Sequence, residues 1–240
     1  MTRLAIHNIQ MPVLLPGDKM GCFSHVASAP DRMLFQRRAA HGSADILHRA
    51  ILHAALKVQI IGRAIHLHAF TENGEYLRRW LCEQLPANLD WQQHSDQLLV
   101  GIWPLETPPL DEEQRLTHAG VMDVVRTLMY GVDCNRPWHC GVLFSYDLAD
   151  HMEQLPPAAG VRPLADVEML CPEILLEWDG KSAEATLTGF AFAENQRKPV
   201  EQRLVRFIPE IRHEPRPEGD SQVSTDSDDA DFIARVEAAK

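Results

Sequence analysis

Apolar and polar positions alternate with two different periods along the chain. Residues 33–36 are a short apolar run, which predicts a strand. Ser43 can cap the segment after it. Ile46, Leu47, Ala50, Ile51 and Ala54 then fall at i, i+1, i+4, i+5 and i+8, which predicts a helix with one apolar stripe. Residues 57–61 and 64–70 are strand-like runs joined at Gly62-Arg63, the pattern of a hairpin with Gly62 supplying a positive φ. A helix over about 75–84 is stopped by Pro86. Residues 97–102 read as a strand, 118–130 as a helix and 141–146 as a strand. A second hairpin, 173–178 with 183–192, turns at Asp179-Gly180. The period of 200–207 fits helix or strand. Residues 209–227 are rich in Pro, Glu, Asp and Ser, as in a solvated linker. Asp228 or Asp229 could cap a last helix over 230–239.

Hairpins mixed with helices predict an α+β fold with antiparallel sheets rather than a doubly wound parallel sheet. Nothing obvious in the pattern covers the second face of such a sheet. The fold therefore reads as incomplete on its own, with the missing layer coming from another segment.

The chain has 240 residues, 45% of them hydrophobic, with a net charge of −11. That charge disfavours nucleic acid and anionic lipid as partners. No apolar run reaches the length of a membrane span, and the start lacks the apolar core of a signal peptide. The expected compartment is the cytoplasm. Five scattered cysteines, Cys22, Cys82, Cys134, Cys140 and Cys171, are expected to be free thiols there.

Several residue groups could carry chemistry, and each has a plainer reading. His66 and His68 share one face of a strand and could ligate zinc, but no third ligand stands at a convincing spacing. Cys134, His139 and Cys140 match no metal pattern. Ser145 lacks the glycine setting of a hydrolase nucleophile, and Asp147 reads as a cap. The acidic run 226–231 lacks the alternation of a calcium loop. The dispersed glycines form no phosphate loop.

Residues 110–128 lead into a helix. They are followed by Cys140-Gly-Val-Leu-Phe-Ser-Tyr-Asp-Leu148 and by Glu153-Gln-Leu-Pro156. This succession resembles anthranilate synthase component I, whose pattern is Gly-Gly-Leu-Phe-Ser-Tyr-Asp-Leu with a downstream Glu-x-Leu-Pro. Met33-Leu-Phe35, the segment 46–56, the hairpin 57–70 and Asn73-Gly-Glu75 fall into the same register. Residues 1–208 would be the amino-terminal-like domain of that family, 209–228 a linker and 229–240 a truncated helix before an absent catalytic half. Aminodeoxychorismate synthases share the layout; the Phe144–Leu148 run leans toward anthranilate synthase.

The resemblance implies a fold like the amino-terminal part of the family's β-sandwich. It implies that chorismate and magnesium bind in the other half, so that no catalytic residue and no metal or cofactor site lies in this chain. It also implies two partners, the chorismate-binding half and a glutamine amidotransferase subunit that delivers ammonia. The function implied is a scaffold or regulatory part of a protein of tryptophan biosynthesis, inactive alone. A non-catalytic effector-binding or docking module, or a degenerate fragment, are the alternatives.

The family's tryptophan pocket maps onto Leu34, Phe35, Gln36, Arg37 and Ser43, and there the sequence departs. The family strand reads Leu-Leu-Glu-Ser, with a basic residue further on. Gln36 keeps an acceptor for an ammonium group but loses the charge, and Arg37 adds a like charge unless it faces solvent. Tryptophan binding is expected to be weakened or lost. Cys140 stands where the family has glycine, and its small side chain is expected to be tolerated.

Overall fold

The computed structural model describes residues 3–15, 29–38, 46–104, 120–135, 137–145, 165–179 and 183–212. Their strands are β1 (Leu4–Leu14), β2 (Met33–Arg38), β3 (Ile46–Ile61), β4 (Ala64–Ala69), β5 (Asp90–Gln93) and β6 (Leu98–Ile102). The remaining four are β7 (Val132–Cys134), β8 (Gly141–Phe144), β9 (Val167–Asp179) and β10 (Glu184–Ala191). The helices are α1 (Glu72–Gln84), α2 (Asp123–Tyr130) and α3 (Arg197–Arg212). All ten strands join one curled sheet in the order β5-β6-β4-β3-β9-β10-β1-β7, with β2 added to β3 and β8 to β9. The arrangement is α+β, as expected. The sheet is mixed, since β1 and β7 run parallel and the other pairs antiparallel.

Two long strands form its spine. β3 pairs with β9 along one edge. Its other edge takes β2 over Ile46–Ile51 and β4 over Leu56–Ile61. β9 divides its free edge in the same way, between β8 and β10. The β3–β9 register shifts between Ile51 and Leu56, opposite Pro172. Proline brings no N–H to the ladder, and extra residues on one strand bend it.

The helix expected over 46–54 is instead the first half of β3. All residues from Ala50 to Ala55 except His53 are buried. A strand buried on both faces reads as an almost continuous apolar run, and such a run also satisfies a helical template. Pairing with β2 and β9 decided the outcome. β1 went unrecognised because its alternation is weak and Pro12 interrupts it; Pro12 is accommodated opposite Thr186.

Helices cover both faces of the described sheet. On one, Leu52, Ile174, Leu176 and Leu187 pack with Leu204 and Ile211 of α3. On the other, Ile51, Val58, Ile60 and Met169 pack with Leu77 and Leu81 of α1 and Val124 and Leu128 of α2. Each fully buried side chain of this kind contributes roughly 1.5–3 kcal/mol. The expectation of an uncovered face is corrected for this part of the sheet. The sheet nevertheless curls only into a half-barrel, which is consistent with an incomplete domain. The apolar stripe of 200–207 resolves as helix because Val200 and Leu204, one turn apart, both reach the β10 surface over Gly189. α3 continues to Arg212, past the boundary placed at residue 208.

Local chemistry fixes the joints. The hairpin turns at Gly62, with φ +56°, and the Gly62 amide donates to the Asp166 carboxylate at 2.6 Å. α1 begins earlier than its periodicity predicts because Thr71 caps it, accepting from the Gly74 amide at 3.0 Å. Gly74 lies so close to β3 that any side chain there would overlap the Ala55 carbonyl. Asn73, fully buried, donates to the Phe190 carbonyl and accepts from the Phe192 amide, both at 2.8 Å. This pair of bonds stitches α1 to the end of β10. Asn73 and Gly74 thus have packing reasons for their place in the Asn-Gly-Glu motif.

The last predicted helix, the linker beyond Arg212 and most of the Phe144–Leu148 run lie outside the described residues.

Candidate functional site

The effector positions implied by the resemblance sit on β2. Leu34 pairs with Ala50, Phe35 with Arg49, Gln36 with His48 and Arg37 with Leu47. Leu34 packs with the α3-side core and Phe35 with the opposite core, so the two project to different faces. Ser43 lies outside the described residues.

At the entry to β2 stands a cluster that the sequence did not reveal. His53 Nδ1 lies 2.6 Å from Asp31 Oδ2, and His53 Nε2 lies 3.7 Å from Glu173 Oε2. Glu173 is fully buried; Arg203 reaches it from α3 with Nε at 3.0 Å, and the Thr71 hydroxyl donates to it at 3.0 Å. The Ala54 amide donates to the Asp31 carbonyl at 2.9 Å, so the chain entering β2 is tied to β3 beside its bulge. Phe207 of α3 lies against the His53 ring, and the Arg32 guanidinium stands 5.7 Å above the Phe207 ring. Burial acts to raise the Asp31 carboxyl. The hydrogen bond and charge of His53, with help from Arg32, outweigh it and hold the group below its ordinary value.

The cluster joins β2, β3, β9 and α3 through charge-assisted contacts. One sequence signal for it existed: Glu173 is the one charged residue of the stretch 169–176 in β9, and a carboxylate buried among apolar neighbours requires a cationic partner.

The remaining candidates separate. His68 contacts Gln97 Oε1 at 3.2 Å and tilts against Phe70. Burial, then the nearby charge of His94, lowers the His66 pKa. Cys134 donates to Asn8 Oδ1 at 3.2 Å, whereas Cys140 and the buried Cys171 are free thiols, with burial, then Cys171, pushing the Cys140 thiol well above its ordinary range. The Ser145 amide donates to the Asp166 carbonyl at 2.9 Å, extending the β8–β9 ladder. Among the described residues no three His, Cys, Asp or Glu side chains converge as a metal site. Asp31 and Glu173 are engaged by His53 and Arg203. No described helix is long and apolar enough to cross a membrane.

The geometry defines a sheet scaffold whose charged cluster anchors one strand and one helix. No family model matches the chain. Its similarity to known proteins is nevertheless consistent: it resembles the amino-terminal part of anthranilate synthase component 1. It is 30% identical to the pyocyanine-specific anthranilate synthase component 1 of Pseudomonas aeruginosa over 217 residues, 86% of this chain and 41% of that protein. It is 27% identical to anthranilate synthase component 1 of Escherichia coli, over 77% of this chain and 36% of the relative. For the Serratia marcescens protein the identity is 26%, over 84% and 40%. The chain thus spans about two fifths of the length of these curated relatives.

Proposed function

We propose that these 240 residues are the scaffold and regulatory portion of an anthranilate synthase component 1-like protein of tryptophan biosynthesis, acting in the cytoplasm. The reaction, chorismate to anthranilate, is carried by a chorismate- and magnesium-binding portion outside these residues. That portion and a glutamine amidotransferase subunit are the partners. The observation that supports this reading is the match along 86% of the chain to only 41% of the Pseudomonas relative. The described residues offer support as well: the buried carboxylate of Glu173 is committed to Arg203 and holds α3 on the sheet, and Asp31 is committed to His53.

The test is an anthranilate fluorescence assay with chorismate, ammonia and magnesium. It is run on the chain alone and again with a separately expressed chorismate-binding portion. The expected result is no product from the chain alone and product from the pair above that of the second component by itself. Anthranilate made by the chain alone refutes the proposal.

The regulatory role no longer rests on tryptophan. Gln36 stands where the family strand carries a carboxylate, and Arg37 adds a cation beside it. Calorimetric titration of the reconstituted pair is expected to show no tryptophan binding in the micromolar range; micromolar affinity would overturn the assignment.

A further inference from the structure

We propose that Cys140 and Cys171 are a peroxide-responsive dithiol that closes to a disulfide and ties the edge strand β8 to β9. The argument begins with register. β8 and β9 are antiparallel with Gly141 opposite Leu170, so the next pair outward is Cys140 opposite Cys171. The Ser145 amide bonds to Asp166, its opposite number, and backbone bonds in such a ladder recur at every second pair. Residues 145, 143 and 141 therefore stand in hydrogen-bonded pairs, while 144, 142 and 140 stand in non-hydrogen-bonded ones. Cα atoms in the latter lie about 4.5 Å apart with side chains close, within the range a disulfide spans.

Access is one-sided. Cys171 is fully buried. Cys140 lines a cavity of about 210 Å³ with Leu128, Trp138, His139, Val142 and Met169. A peroxide fits such a space more readily than a tripeptide disulfide does. Burial pushes the Cys140 thiol well above the ordinary thiol range, and the contact with Cys171 adds to this. Little thiolate is present at neutral pH, so closure is slow and calls for a small, strong oxidant. In the first step the Cys140 sulfur attacks one oxygen of hydrogen peroxide, giving a sulfenic acid and one water. In the second, the Cys171 thiol attacks that sulfur, forming the S–S bond and releasing a second water. Two thiols lose two electrons in all, and one peroxide is reduced to two waters.

The test exposes the folded 240-residue chain to hydrogen peroxide, blocks remaining thiols with N-ethylmaleimide and maps the cysteines by mass spectrometry. The expected result is joint loss of two of the five alkylatable thiols, with a peptide bridge between Cys140 and Cys171 that dithiothreitol reverses. In Cys171→Ser, dimedone is expected to capture Cys140 as the sulfenic acid. Recovery of both cysteines in the alkylated form overturns the proposal, as does Cys140 recovered as a sulfinic acid with no bridge to Cys171.

Discussion

Replacing Asn73 by alanine tests how α1 is joined to the far side of the sheet. The side chain is fully buried and makes two bonds of 2.8 Å to main-chain groups of β10 and the residues after it. Alanine leaves the Phe190 carbonyl and the Phe192 amide without partners, and both residues are almost wholly buried. Each stranded group costs about 1–3 kcal/mol, so the pair costs about 2–6 kcal/mol, far more than the small gain in helix propensity offsets. Equilibrium urea unfolding followed by tryptophan fluorescence measures this. With a slope of about 3 kcal/mol/M, a loss of about 3 kcal/mol lowers the midpoint by about 1 M. Asn73→Asp is the sharper variant. It retains an acceptor for the Phe192 amide but sets a carboxylate against the Phe190 carbonyl, so it should be no more stable than alanine. A midpoint for Asn73→Ala within about 0.2 M of wild type, at equal slope, would refute the reasoning.

Two further outcomes concern the charged cluster. Arg203→Met leaves Glu173 buried without its strongest cation, and should cost about 3–5 kcal/mol in the same unfolding assay; Arg203→Lys should recover part of the loss. The lowered Asp31 carboxyl links stability to pH. Because its folded value lies below the unfolded one, its contribution is present above the unfolded value near 3.8 and is lost as pH falls through the folded value. The stability advantage of wild type over Asp31→Asn should therefore shrink between about pH 5 and pH 2.5. An advantage that stays constant across that window would show that Asp31 gains nothing from its place beside His53.

How much of this was legible in advance depended on how local each cause is. The hairpin at Gly62, the stop of α1 before Pro86 and the β9–β10 pair are set by neighbouring residues, and all three stand where the sequence pattern puts them. The Phe144–Leu148 run and the segments around it pointed to anthranilate synthase component 1, and the relatives agree. The Asp31–His53–Glu173–Arg203 cluster could not be seen, because its members are widely separated in sequence and meet only through pairing.

The sequence by itself determined the α+β class, the turns and the family resemblance, since each rests on contacts or patterns within a few residues. Only the tertiary structure decided that residues 46–54 extend as a strand. The apolar positions of this segment satisfy either period, and its edge partners β2 and β9, with the helices packed on the two faces of the sheet, choose between them. The same long-range pairing sets Gly141 opposite Leu170, and so carries the neighbouring Cys140 toward Cys171, a juxtaposition that spacing along the chain does not encode.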